Sequence, residues 1–259
     1  MLAGAEQESP ARAPDGAASI VVAIPALNEA DSIGDVIAGV PRAIASRIIV
    51  ADGGSTDATV ARARHAGAQV IEAGKGYGRA CWRAAEAAPD ADIIVFMDGD
   101  GADDPTSLAA LIAPIRSGEY DFVIGSRARG TRAPGSIAWH QLAAGAMAGW
   151  AIGVLYGVRY TDMCAFRAIR RQALLDLGMR EMTYGWNIEM QMRAAQAGLR
   201  ILEIPVPYRC RTGGTSKVAG SLRGSVRAGV RILATFCRVA AQPTARHRPA
   251  RSHEDPDAR

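Results

Sequence analysis

The chain has 259 residues, of which 49% are apolar, and a modest formal charge of +4. That combination suits one large core and a single catalytic domain rather than two small ones. Its four cysteines, Cys81, Cys164, Cys210 and Cys237, stand far apart with no CxxC pair, which argues against a disulfide framework or a zinc site and for a reducing compartment.

In chain order, residues 1–18 hold Pro, Gly and mixed charge but no signal-peptide core, so a disordered tail and a cytoplasmic chain are expected. Short β-branched runs then alternate with Ala-rich stretches. Strands are predicted over 19–24, 47–51, 68–72, 92–97 and 120–125, and helices over 31–40, 56–66, 77–88 and 105–117. This is the pattern of βαβ units in a parallel sheet, whose ligands bind at the carboxyl ends of the strands. Beyond Arg127 the alternation breaks down: helices are predicted over 137–157, 186–197 and 219–239, with one strand over 199–209. Residues 241–259 again read as a tail. The domain is therefore 19–240, with 19–127 as one half and 128–240 as the other.

The apolar stretch 142–158 is slightly short for a membrane span of ~20 residues and reads as a buried or interfacial helix. Basic residues cluster between Arg193 and Arg251, which suggests an anionic ligand or surface, including peripheral contact with the inner membrane face. Arg223, Arg227 and Arg231 share one helix face beside the apolar Leu222, Val226, Val230 and Leu233. No aromatic-rich pattern accompanies the charge, so nucleic acid is not expected as a partner.

The strongest chemical signal is FMDGDGADDP. It puts Asp98 and Asp100 two residues apart after an apolar strand, where an extended segment would aim both at one Mg²⁺ or Mn²⁺ ion shared with a diphosphate. Asp103 can add a ligand, and Asp104 suits a helix start. At the end of the first strand Pro25 stops the run and exposes Asn28 and Glu29. Asp52 ends the second strand and can accept hydrogen bonds from a nucleobase, while Ser55, Thr56 and Asp57 serve the next helix. GKGYGRA offers Lys75 and backbone amides but has neither the P-loop nor the dinucleotide spacing.

The ordered set VAIPALNEA, VADGGSTDAT, GKGYGRA, FMDGDGADDP, GSR, TDMCAFRAIRR, TYGWNIEMQ and EIPVPYRCRTGGTSK resembles the family 2 glycosyltransferases, particularly the polyprenyl-phosphate sugar synthases. The resemblance implies an α/β fold of the GT-A type, a mostly parallel Rossmann-like sheet flanked by helices. It also implies an inverting transfer from a UDP- or GDP-sugar. Pro25, Asn28, Glu29 and Asp52 would line the nucleotide with Lys75 nearby, and Asp98 and Asp100 would hold the metal diphosphate. Arg127 of GSR would face the transfer site or an acceptor phosphate, and Arg209, Arg211 and Lys217 would form a basic cluster.

A phosphate acceptor needs positioning by cations, whereas a hydroxyl acceptor needs a general base, for which Glu189 is the first candidate and Asp162 the second. A polyprenyl phosphate is the favoured acceptor and a soluble hydroxyl compound the alternative. A sugar-phosphate nucleotidylyltransferase and a silent binding module fit less well, since PALNEA occupies the place of a basic phosphate loop and the acidic pair is retained.

Overall fold

A computed structural model describes residues 18–212 and 222–242. The first half follows the expected alternation: β1 (Ile20–Ala26), α1 (Ile33–Gly39), β2 (Arg47–Asp52), α2 (Thr59–His65), β3 (Gln69–Glu72), α3 (Tyr77–Glu86) and β4 (Ile93–Phe96). A short 3-10 turn, Pro105–Ser107, then opens α4 (Leu108–Arg116), and β5 (Phe122–Ser126) completes the half. The second half holds α5 (Trp139–Tyr156), β6 (Arg167–Arg170), α6 (Arg171–Asp176), α7 (Trp186–Gln196), β7 (Ile201–Pro205) and α8 (Leu222–Ala240).

The seven strands form one sheet in the order β3-β2-β1-β4-β6-β5-β7. Every strand except β6 runs in the same direction, because β1 pairs in parallel with β2 and β4, β2 with β3, and β5 with β7, while β6 is antiparallel to both β4 and β5. β1, β4 and β5 are almost entirely buried, as expected of strands covered on both faces. Helix α3 packs on β1 and β2, α4 on β5 and β6, and α7 against α5 and α8.

Sequence patterning missed β6 and α6. In RAIR two arginines flank two apolar residues, which reads as surface. Arg167 is nevertheless fully buried, donating to the carbonyls of Cys164 and Asn187 and lying over the Phe122 ring at 5.9 Å. Trp186 belongs to the core, edge-on to Trp82 and Phe96.

Helix α5 has two distinct faces. Gly145 and Gly149 let it approach the backbone of residues 160–163, and a Cβ on Gly149 would strike the Tyr160 carbonyl. The other face leaves Trp139, Met147, Trp150 and Val154 exposed, each by 60% or more. Among the described residues no helix is long and apolar enough to cross a membrane.

Candidate active site

Because six strands run in parallel, their carboxyl ends share one edge of the sheet. Along that edge lie, in strand order, the Lys75 loop after β3, Asp52 closing β2, Asn28 and Glu29 after β1, Asp98 after β4, Arg127 after β5, and Arg209 and Arg211 after β7. The antiparallel β6 starts at this edge, so the segment leading into it brings Asp162 there as well. The chain turns from β1 outward to β2 and returns to place β4 on the other side, so a crevice opens between β1 and β4. That is the usual ligand position in open α/β sheets.

The acidic pair sits in that crevice, though not by strand alternation. β4 ends at Phe96, and a turn over residues 97–102 gathers the carboxylates. Gly101 has φ +80°, and a Cβ there would strike the Thr212 hydroxyl, so only glycine fits. Ser32 ties the turn to the start of α1 by donating to the Gly99 carbonyl at 2.7 Å. Asp103 accepts from the Asp98 amide at 3.1 Å, and Asp100 accepts from the Ala102 amide at 2.9 Å. Asp104 caps the following turn through the Thr106 amide, as its sequence position suggested.

Burial, followed by the charge of Asp100, pushes the Asp98 carboxyl up to about 6. Burial and the charges of Asp98 and Asp100 raise Asp103 well above its ordinary range. Excess negative charge in a crevice, presented by oxygen donors, suits a hard divalent cation. Among the described residues no three His, Cys, Asp or Glu side chains form a closed metal cage. Asp98 and Asp100 could hold such an ion.

Arginines answer this charge. Arg211 pairs with Asp100 at 2.8 Å and Arg209 with Asp104 at 2.7 Å, while the Arg209 amide donates to the Ala102 carbonyl. Arg127 lies over the Tyr208 ring at 5.0 Å and grips Asp162 through Nε and Nη2, both at 2.7 Å. Asp162 also accepts the amides of Arg127 and Met163, and Glu203 on β7 accepts those of Thr161 and Asp162. Burial opposes ionisation of Asp162, but the hydrogen bonds and charge of Arg127 outweigh it and hold the carboxyl below its usual range. Sequence reading named Arg127 and Asp162 separately and did not foresee that they are one unit. Lys217 lies outside the described residues.

On the β1–β2 side, Asp52 accepts from the amides of Gly54 and Ser55. Asn28, at φ +52°, accepts from the Thr56 amide, and the Glu29 amide donates to Thr59. These bonds shape the two loops that flank the crevice. Pro25 does not stop β1 as expected, since the strand runs on to Ala26 with Pro25 paired opposite Ala51; Lys75 is exposed.

Glu189 stands apart from this set. It is fully buried on α7, with Oε2 accepting the amides of Arg180 and Glu181 and Oε1 paired with Arg193 at 3.0 Å.

A glycine-bent acidic turn at the switch point of a mostly parallel sheet, faced by arginines, defines an α/β protein with a charged site at the carboxyl ends of its strands. The profile of glycosyl transferase family 2 matches residues 21–178, more than half of the chain, and the chain belongs to that family. It is 38% identical over 212 residues to an uncharacterized glycosyltransferase of Mycobacterium tuberculosis (strain ATCC 25618 / H37Rv), covering 80% of this chain and 93% of the relative. It is 36% identical over 207 residues to a dolichyl-phosphate hexose transferase of Haloferax volcanii, covering 76% and 85%. Among solved structures it resembles glucosyl-3-phosphoglycerate synthase from Mycobacterium tuberculosis, in complex with Mn²⁺, UDP-glucose and phosphoglyceric acid, with a TM-score of 0.69 at 24% identity over 88% of this chain and 82% of that one. The fold is of the GT-A type, and the chain is a glycosyltransferase.

Since the Asp162 carboxyl is depressed by folding, it adds stability above its unfolded value of about 4, which is lost as pH falls below that value. Asp162→Asn should therefore destabilise the fold at pH 7 by about 3–5 kcal/mol, leaving Arg127 half-buried without its partner. Urea titrations should show the gap to the parent narrowing below about pH 4.

Proposed function

We propose that this glycosyltransferase moves a hexose, with inversion, from a UDP-glucose- or GDP-mannose-type donor to a polyprenyl phosphate. The observation that carries the reading is that Arg209 and Arg211 pair with the acidic turn and Arg127, held by Asp162, lies at the same edge of the sheet, in a chain whose α5 exposes an uncharged apolar face. An acceptor with an anionic head and a greasy tail matches both features. The Haloferax relative is named a dolichyl-phosphate hexose transferase, which agrees with this reading.

Asn28, Glu29, Asp52 and Lys75 bind the nucleotide, and Pro25 shapes the loop that carries the first two. Asp98 and Asp100 would hold Mg²⁺ or Mn²⁺, whose chemistry there is Lewis-acid stabilisation of the departing diphosphate. Arg127, locked by Asp162, presents a fixed cation to the acceptor phosphate, and Arg209, Arg211 and Lys217 add charge around it. A phosphate oxygen then attacks the anomeric carbon as the bond to the nucleoside diphosphate breaks. The nucleophile is already anionic, so no general base is required. That accords with Glu189, whose oxygens are taken by two amides and an arginine, and with Asp162, whose depressed carboxyl is a weak proton acceptor.

Asp100→Asn should lower turnover about a hundredfold or more, corresponding to loss of several kcal/mol of charge stabilisation, while leaving the denaturation midpoint nearly unchanged. Near-parental activity at limiting Mn²⁺ would remove the metal assignment.

For the acceptor, Arg211→Ala should raise the Michaelis constant for a short polyprenyl phosphate by about ten- to a hundredfold, the worth of one charge-assisted bond, with donor affinity retained. Efficient transfer to a soluble compound such as phosphoglycerate, with polyprenyl phosphate ignored, would defeat the lipid reading.

The acceptor's lipid nature also implies contact with a bilayer. On α8, Val226, Val230 and Leu233 are exposed beside Arg227 and Arg231, and neither α5 nor α8 contains an acidic residue. Flotation with vesicles should show binding that grows with the anionic lipid fraction and weakens with salt. Absence of binding at low salt would disprove this contact.

A further inference from the structure

The loop over residues 179–185 lies between two distant parts of the chain. On one side is the Gly74–Gly78 segment that carries Lys75 and opens α3. The Met182 carbonyl accepts the Arg79 amide at 2.9 Å, and a Cβ on Gly78 would strike the Glu181 carbonyl, so loop and segment are in direct backbone contact. On the other side is α8. The Glu181 side chain, 3% exposed, accepts from the Thr183 amide at 2.9 Å, from the Thr183 hydroxyl, from the Thr235 hydroxyl at 3.1 Å and from Arg231 Nε at 3.1 Å. Arg238 stands 3.6 Å from Glu181 and 3.5 Å from Glu189, whose other oxygen holds the amides of Arg180 and Glu181.

We infer that Glu181 is a positioning residue for the nucleotide-sugar donor, acting through the Met182 carbonyl on the Lys75 segment and braced from behind by Arg231 and Thr235 of α8. The inference rests on the reading of Lys75 as part of the donor site. Its physical basis is that no slack separates the three layers. The carboxylate fixes the loop, the loop backbone abuts Gly76 and Gly78 without room for a methyl group, and the Arg79 amide in the first turn of α3 is satisfied only in that arrangement. Once Glu181 no longer holds the loop, the segment loses the surface that sets its height above the sheet edge. None of these groups needs to touch the donor.

The test measures binding of UDP and of GDP, each with Mn²⁺, by calorimetry, together with hydrogen exchange at the Arg79 amide. Glu181→Gln and Arg231→Ala should weaken binding of the recognised nucleotide about tenfold, as expected of a small displacement far from the chemistry. They should also speed exchange at Arg79, with the turnover of saturated enzyme within about twofold of the parent. Arg231→Lys should restore most of the affinity. If Glu181→Gln fails to fold, Thr235→Val, which removes a single hydrogen bond, replaces it. Lys75→Ala separates this idea from the donor reading beneath it. Where Lys75→Ala weakens nucleotide binding and the Glu181 variant does not, positioning by Glu181 is overturned while the donor reading stands. Where Lys75→Ala has no effect, the donor reading of the segment falls and the inference with it. Equal losses in affinity, turnover and global stability would reduce Glu181 to a residue of the fold alone.

Discussion

Four carboxylates follow β4 within eight residues, and balancing their charge is the constraint around which the functional edge is arranged. Asp104 is turned away as a cap, leaving Asp98, Asp100 and Asp103 crowded together. Their counter-charges cannot come from nearby in the sequence. They arrive from β5 as Arg127 and from beyond β7 as Arg209 and Arg211, which is possible because those strands run parallel to β4 and end at the same edge. The orientation of the sheet and the electrostatics of the site are thus a single requirement.

Buried carboxylates in this protein divide into two kinds. Asp162, Glu181, Glu189 and Glu203 each collect backbone amides and hydroxyls or guanidinium groups, and they shape loops. In the acidic turn Asp98 and Asp103 are raised by burial and by their carboxylate neighbours, even though Asp100 takes the Ala102 amide and Arg211. A carboxylate surrounded by donors is stabilised as an anion where it stands, whereas carboxylates that repel each other are stabilised by whatever positive charge enters.

Much of this was legible in the sequence. The expected bounds of strands β1 to β5 fall within two residues of the observed ends, because each is a short apolar run bounded by polar turns. The acidic pair was legible for the same reason. The physical argument for its geometry differed, since a glycine-dependent turn, not an extended strand, brings Asp98 and Asp100 together. What the sequence concealed were relations across long separations. Arg167 looks like a surface residue until two carbonyls and an aromatic ring are seen around it. The grip of Asp162 on Arg127 spans 35 positions, and that of Arg231 on Glu181 spans 50. No local periodicity encodes either. Thr183, two residues after Glu181, was the one nearby hint of a loop-organising carboxylate.

The place of β6 in the sheet also bears on how the molecule is made. The neighbours of β5 are β6 and β7, and both lie later in the chain. A ribosome therefore releases β5, and then the apolar helix α5, before either strand that will flank β5 exists. About forty residues, α5 among them, separate the end of β5 from β6, so both hydrogen-bonding edges of β5 wait for strands made later. β6 closes that interval by inserting between β4 and β5 and joining the two halves of the sheet at once, so assembly of the catalytic edge is a late event in the birth of the protein.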